Sequence, residues 1–169
     1  MYSLNVPVPG AVSERAWELR RSLTGVDRLR DDLTLVVKRL EARTSGEFAA
    51  ESKAVRDCLS GTAPFEARVT GIEAFTDPPA GPGPVVYLAV ESPAVGKLHL
   101  SLVDALGAIT GVEGEIYVPH ITLGRGIDDP ADLERLCNRP FEPISWTVER
   151  LSFWDARREV EIGSVSLPA

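Results

Sequence analysis

One stretch in the second half of the chain decides the fold: Val118-Pro119-His120-Ile121-Thr122-Leu123-Gly124-Arg125. In a β-strand successive side chains alternate between the two faces, so His120 and Thr122 point one way while Ile121 and Leu123 point into a core. Pro119 cannot donate a backbone hydrogen bond, which places this point at the start or the edge of a strand. We therefore predict a strand that presents an imidazole and a hydroxyl on one face.

These two side chains have complementary chemistry. A histidine can take or give a proton near pH 7, and a threonine hydroxyl two residues further on can donate to a phosphate oxygen. The pair is half of a phosphoryl-transfer site, because it supplies an acid–base group and an anchor for an anionic oxygen. By strict alternation Arg125 falls on the opposite face from His120. We therefore expect it to form an ion pair or to pack between lobes, unless the strand ends at Gly124.

The same plan occurs twice along the chain. The order of predicted elements is β-α-β-α-β, a loop at 77–84 rich in proline and glycine, then β-α-β-α-β-β. Asp32-Leu33-Thr34-Leu35 in the first half echoes His120-Ile121-Thr122-Leu123 in the second. The predicted strands cover residues 2–8, 33–40, 65–75, 85–90, 115–125, 144–154 and 159–167. Ser13 is the expected N-cap of the first helix.

The motif and its context resemble a known family. Pro-His-hydrophobic-Thr-Leu followed by Gly-Arg, after a helix carrying Leu98, Leu102 and Leu106, is similar to the second signature of the two-histidine phosphoesterases (2'-5' RNA ligase-like proteins). The resemblance spans nearly the whole chain. It implies an α+β, bilobal, pseudo-twofold fold, with two antiparallel sheets lining a central cleft and helices packed outside. It also implies a single domain over residues 1–169, with interleaved lobes whose halves meet near 77–84.

The resemblance also implies an activity. Members of this family cleave 2',3'-cyclic phosphates or 2'-5' linkages in nucleotides or RNA ends, with one histidine as base and another as acid, and need no metal or other cofactor. The expected partner is therefore a nucleotide or RNA end that carries such a group. The expected site residues are His120, Thr122, Thr34 and Asp32.

The first motif departs from the family pattern. Two residues before Thr34, where a histidine belongs, the chain has Asp32, and a register slip of one residue gives Leu33. Two interpretations stay open: Asp32 replaces the histidine as an acid or base with a raised pKa, or the protein is a slow enzyme or only a binder of phosphorylated ligands. The chain has one other histidine, His99, which we expect to be structural. Lys38 shares the parity of Thr34, which leaves a place at the edge of the cleft as one alternative for it.

Composition limits the function classes. The 169 residues are 44% hydrophobic and 25% charged, which is typical of a globular protein. The net charge of −7 argues against an extended nucleic-acid surface, but leaves room for a small cationic cleft. No apolar run is long enough for a membrane span, and the first residues do not resemble a secretory signal, so we expect a cytoplasmic protein, monomeric and away from membranes. Cys58 and Cys137 are expected to be reduced and half-buried, and no Cys/His cluster has metal-ligand spacing.

Overall fold

The computed structural model describes residues 1–21, 26–29, 33–79, 81–127 and 129–168, with only the backbone described for 26–29. Within these ranges it contains four α-helices, nine β-strands and one 3-10 turn at Gly114–Ile116. In chain order the elements are β1 Tyr2–Val6, α1 Gly10–Arg20, β2 Val26–Leu29, β3 Leu35–Leu40, α2 Ser45–Leu59, β4 Phe65–Phe75, β5 Val85–Glu91, α3 Pro93–Leu106, β6 His120–Ile127, α4 Pro130–Cys137, β7 Ile144–Val148, β8 Arg150–Asp155 and β9 Val160–Ser166.

The described strands form an antiparallel sheet in the order β7-β4-β5-β6-β3-β1-β8-β9, with β2 paired to β6. The two predicted sheets are halves of it, and a single pair of partners, Leu35 and Ile121, joins β3 to β6. The strands that carry the two sequence motifs are therefore neighbours at the centre of the molecule. The α+β fold class is confirmed.

Three of the four described helices, α2, α3 and α4, begin where a side chain satisfies one of their first backbone N–H groups. Thr44 and Glu47 form a reciprocal capping box at the start of α2. Ser92 and Asp129 cap α3 and α4, and each is followed by a proline in the first turn. The prediction for α1 is wrong: this helix begins at Gly10, and the carbonyl of Pro9 accepts from the N–H of Ser13, which lies inside the first turn.

Apolar burial holds the helices to one face of the sheet. α3 packs on β3 and on α2, α1 packs on β6, and α4 packs on β4 and β6. Leu35, Ile121 and Leu123 are fully buried in this core, and each contributes roughly 1.5–3 kcal/mol through burial of its side chain. Residues 85–90 of β5 are all buried, which confirms the prediction of a strand covered on both faces. Thr34, His120 and Thr122 alternate with the core residues and lie on the other face.

The predicted strand at 144–154 is two strands in the structure. β7 pairs with β4 and β8 pairs with β1, so these segments lie at opposite ends of the sheet order. The break falls at Glu149, whose carbonyl accepts from the N–H of Leu167. Residues 144–154 contain no glycine, proline, asparagine or aspartate, so no turn signal marks the break. No sequence pattern indicated β2 either.

Each of the two central strands has a one-residue bulge. In β6 the bulge lies at Leu123, because Thr122 is opposite Tyr87 while Gly124 is opposite Val86. In β3 it lies at Val37, because Val36 is opposite Asn5 while Lys38 is opposite Leu4. A bulge shifts the side-chain alternation by one residue beyond it. This shift decides which side chains reach the site.

Candidate functional site

A cavity of about 350 Å³ opens between the two central strands on the face away from the helices. Its described lining comes from both halves of the chain: Thr34, Val36, Arg39, Phe75, Asp77, Pro78, Pro79, Val85, Gly111, Val112, Ile116, Tyr117, Val118, His120, Thr122 and Arg125. The cavity brings together three of the four residues expected at the site, Thr34, His120 and Thr122. The fourth, Asp32, lies outside the described residues.

The two threonines face each other across the central pair of strands. Leu35 and Ile121 are antiparallel partners, and continuing that register places Thr34 opposite Thr122 and Val36 opposite His120. Both threonines are half-buried and line the cavity. One strand therefore offers a hydroxyl and the other a hydroxyl and an imidazole, around a hollow that can hold a phosphate group.

A backbone carbonyl fixes the orientation of the His120 ring. Nδ1 lies 2.7 Å from the carbonyl oxygen of Val118, and a carbonyl only accepts, so Nδ1 carries a proton in both charge states of the ring. The proton that His120 exchanges is therefore on Nε2. This arrangement suits an acid–base group, because ionisation leaves the orienting hydrogen bond intact.

Two aromatic rings support His120 from β4 and β5. The centroids of Phe75 and Tyr87 lie 5.1 Å and 5.2 Å from that of His120, both in edge-on contact, and they stack on each other at 4.2 Å. The Tyr87 hydroxyl donates to Glu73 at 3.0 Å. Burial, together with this hydrogen bond, raises the pKa of Tyr87, so its phenol stays protonated. Sequence reasoning missed both rings, because their position depends on how three strands align.

The cavity carries two cations from the two central strands. The prediction that Arg125 faces away from His120 is wrong, because the bulge at Leu123 turns Arg125 back to the cavity side. The bulge at Val37 does the same for Arg39. The third charged side chain of the described lining is that of Asp77, in the loop at 77–84, so part of this loop borders the cleft. Two arginines against one aspartate give a cationic pocket in a chain of net charge −7.

Lys38 is not at the edge of the cleft, and the alternative that placed it there fails for the same reason. The bulge directs Lys38 to the helix side, where its exposed fraction is 2% and its Nζ lies 2.7 Å from Glu113 Oε2. Glu113 also accepts from the backbone N–H groups of Arg39 and Ile109. Burial alone would raise the pKa of Glu113, but the hydrogen bonds from Lys38, Ile109 and Arg39 outweigh it and hold that pKa below its ordinary value.

His99 is structural, as expected. It is 1% exposed, and both ring nitrogens bond the backbone: Nδ1 donates to the carbonyl of Val37 at 2.6 Å and Nε2 accepts from the N–H of Gly114 at 2.9 Å. Its ring stacks on Tyr117 at 3.8 Å, and the Tyr117 hydroxyl donates to the carbonyl of Val36 at 2.7 Å. His99 and Tyr117 thus satisfy the carbonyls that the bulge in β3 removes from the ladder.

The remaining expectations concern the two cysteines, metal binding and membrane-spanning helices. Cys58 and Cys137 are free and half-buried, on α2 and α4. In the described part of the chain no group of three or more His, Cys, Asp or Glu side chains could hold a metal ion. None of the described helices combines the length and the apolar character needed to cross a membrane.

Solved structures with the same fold extend over the whole chain. TT0787 of Thermus thermophilus is 20% identical, with a TM-score of 0.70 over 98% of this chain and 97% of its own. LigT of E. coli, solved with 3'-AMP, is 18% identical, with a TM-score of 0.67 over 99% and 98%. Usb1 of Kluyveromyces marxianus is 12% identical, with a TM-score of 0.56 over 99% and 97%. At these identities the likeness establishes the fold.

Sequence comparison adds the family. No curated protein sequence gives a significant match. The profile that describes the 2'-5' RNA ligase superfamily, however, matches residues 16–159, a segment that includes both Thr34 and the His120–Thr122 motif. Together with the fold and the paired strands at its centre, this match shows that the chain belongs to the 2'-5' RNA ligase superfamily of two-histidine phosphoesterases.

Proposed function

We propose that the protein is a metal-independent phosphoesterase that opens the 2',3'-cyclic phosphate of a nucleotide or an RNA end. The observation that carries this proposal is the convergence of Thr34, His120 and Thr122 on one cavity, although the two motifs are far apart in the sequence. The excess of positive charge in the cavity favours an anionic ligand. LigT of E. coli, which shares the fold, has been solved with 3'-AMP and with phosphate.

The chemistry follows from the position of the proton on His120. Attack by a water oxygen on phosphorus forms one P–O bond while the bond to one ribose oxygen breaks. The water loses a proton and the ribose oxygen gains one. Nε2 of His120 exchanges one of these protons while Nδ1 stays bonded to Val118. The threonine hydroxyls donate to the non-bridging phosphate oxygens, where negative charge accumulates.

A second candidate function is that of a catalytically impaired binder of phosphorylated nucleotides or RNA ends. The observation that favours it is the burial of His99, which leaves His120 as the one imidazole of this chain that lines the cavity. A general acid or base contributes about 10²–10⁴-fold to a rate, so the loss of one partner would slow turnover by about that factor. Asp32, from its position in the motif, is the candidate replacement.

Incubation with a panel of 2',3'-cyclic nucleotides and 2'-5'-linked dinucleotides tests the proposal. We expect the wild type to turn over at least one cyclic nucleotide, and His120→Ala to lower that turnover by about 10²–10⁴-fold. Lys97→Ala, an exposed change on α3 outside the cavity lining, is the matched control. Unchanged turnover in His120→Ala rejects the proposed mechanism. Binding without turnover in the wild type identifies the second candidate as correct. Asp32→Ala in the same assay shows whether the carboxylate takes part.

A further inference from the structure

Arg39 is a charged group of the cavity that the proposed reaction does not use. It lies on β3, is half-buried and lines the same cavity as His120. Its positive charge acts on the phenol of Tyr117 and lowers the pKa of that group, although burial outweighs this effect and raises it overall. Tyr117 lines the same cavity, so the charge of Arg39 acts on a group of the cavity wall.

The backbone of Arg39 is held from both sides. Its N–H donates to Glu113 Oε1 at 2.8 Å, and its carbonyl oxygen accepts from Lys38 Nζ at 2.7 Å. Lys38 and Glu113 are themselves a buried ion pair. These bonds fix the backbone of Arg39, and therefore the point from which its side chain extends toward the cavity.

The charge of Arg39 has no carboxylate partner within the ranges that the structure describes. The ion pairs found there involve other arginines and lysines: Arg15, Lys38, Lys53, Arg135, Arg150 and Arg158. A half-buried arginine fork without a carboxylate partner among the described side chains suits a phosphate, which it can bind through two parallel hydrogen bonds.

Arg39 lies several residues along the chain from Thr34, and therefore away from the proposed reacting centre. β3 and β6 are antiparallel, so Arg39 and Arg125 lie in opposite directions from the facing pair Thr34 and Thr122. At about 3.3 Å per residue, and with one bulge in each strand, the backbone of Arg39 is roughly 13–16 Å from Thr34 and that of Arg125 roughly 7–10 Å from Thr122. The two arginines therefore stand at opposite ends of the cleft, with His120 between them.

We propose that Arg39 binds a second, non-reacting phosphate of the substrate, so that the preferred ligand is a ribonucleotide phosphorylated on both its 2',3' side and its 5' side, as the last nucleotide of an RNA chain is. A nucleoside 2',3'-cyclic phosphate without a 5' phosphate fills only the centre of the cleft. This inference rests on the proposed function for the identity of the central phosphate, but it concerns binding and is measured separately from turnover.

Titration calorimetry with two stable, product-like nucleotides tests it. Adenosine 2'-monophosphate carries the central phosphate alone, and adenosine 2',5'-bisphosphate carries both. We expect the wild type to bind the bisphosphate about tenfold or more tightly than the monophosphate, as one charge-assisted phosphate contact implies. In Arg39→Met and Arg39→Gln the affinity for the bisphosphate falls by about this factor and the affinity for the monophosphate falls much less, so the preference disappears. Arg68→Met, an exposed arginine on β4 outside the cavity lining, keeps the preference.

Three results overturn the inference: equal affinities in the wild type, a preference that survives both Arg39 variants, or an equal loss for both ligands, which assigns Arg39 to the central phosphate instead. The outcome for the proposed function is separate. A wild type that prefers the bisphosphate but hydrolyses no cyclic phosphate contradicts the proposed hydrolysis and leaves the second phosphate site in place. A wild type with turnover but no preference does the reverse.

Discussion

The two central strands have the same design with different supports. Each has a threonine, Thr34 immediately before β3 and Thr122 within β6, then a one-residue bulge, then an arginine that the bulge turns into the cavity. In each case a helix behind the sheet supplies a side chain to the carbonyl of the bulged residue: Arg20 Nε donates to Leu123 at 3.2 Å, and His99 Nδ1 donates to Val37 at 2.6 Å.

The two strands differ in the ionisable side chains that they carry. β6 carries the histidine, whose ring is oriented by a local carbonyl and two aromatic neighbours. The first motif has an aspartate two residues before Thr34 in the sequence instead, and on β3 the buried Lys38–Glu113 pair holds the backbone around Arg39. We therefore propose that β6 serves proton transfer and that β3 binds charge. The bulge and the side chain that supports it therefore occur in both halves of the chain, whereas the histidine occurs in one.

Restoring the missing histidine is the strongest way to challenge this comparison. In Asp32→His both sequence motifs have the His-x-Thr spacing. An imidazole is then available for each of the two proton transfers of the proposed reaction. We expect kcat/KM for a 2',3'-cyclic nucleotide to rise by about 10²-fold or more. Asp104→His introduces the same residue at an exposed position on α3 and is expected to change nothing. Unaltered activity in Asp32→His contradicts a role for position 32 in proton transfer, whereas lower activity shows that the aspartate itself already takes part.

The buried ion pair predicts a large difference in stability. Glu113→Ala leaves Lys38 charged and unpaired in the interior, and also leaves the N–H groups of Arg39 and Ile109 without their acceptor. We expect the free energy of unfolding in urea to fall by about 3–5 kcal/mol. Asp57→Ala breaks the exposed pair with Lys53 on α2 and should cost about 0.5 kcal/mol or less. Equal costs for the two variants would mean that the Glu113 network does not stabilise β3.

The same carboxylate predicts how stability depends on pH. The pKa of Glu113 is lower in the folded protein than its ordinary value, so the folded state binds a proton on this group less readily than the unfolded state does. Its stabilisation is therefore complete above the unfolded-state pKa and is lost as the pH falls through the lowered folded-state pKa. Urea unfolding at a series of acidic pH values should show the difference between wild type and Glu113→Gln becoming smaller toward low pH. A constant difference contradicts this linkage.

The sequence pattern correctly predicted those features that depend only on neighbouring residues in the chain. The alternation of His120, Ile121 and Thr122 gave the correct faces, because no bulge interrupts these three residues. The unbroken apolar run at 85–90 gave a strand buried on both faces. The burial of His99 followed from its place beside the apolar face of α3. In each case a few adjacent residues carry the whole signal.

The errors have a common physical cause, which is long-range pairing. A bulge is fixed by the register between two strands, so neither the position of Arg125 nor that of Lys38 could be read from alternation along one strand. The pairing of Lys38 with Glu113, and of Tyr117 with the carbonyl of Val36, joins segments about half the chain apart. The split between β7 and β8 likewise depends on which strands they join.

The smallest effect we predict is a fine test of the support behind β3. Tyr117→Phe removes the hydroxyl that donates to the carbonyl of Val36 and keeps the ring stacked on His99. We expect the free energy of unfolding to fall by about 1 kcal/mol, the typical net contribution of one such hydrogen bond. Tyr2→Phe, which keeps its ring against Phe48, is the matched control because none of the described hydrogen bonds uses the Tyr2 hydroxyl. If Tyr117→Phe also lowers the preference for the bisphosphate while His120-dependent turnover is unchanged, the hydroxyl positions the strand that carries Arg39. If the free energy of unfolding falls but the preference for the bisphosphate remains, the Tyr117 hydroxyl stabilises the fold and does not position Arg39.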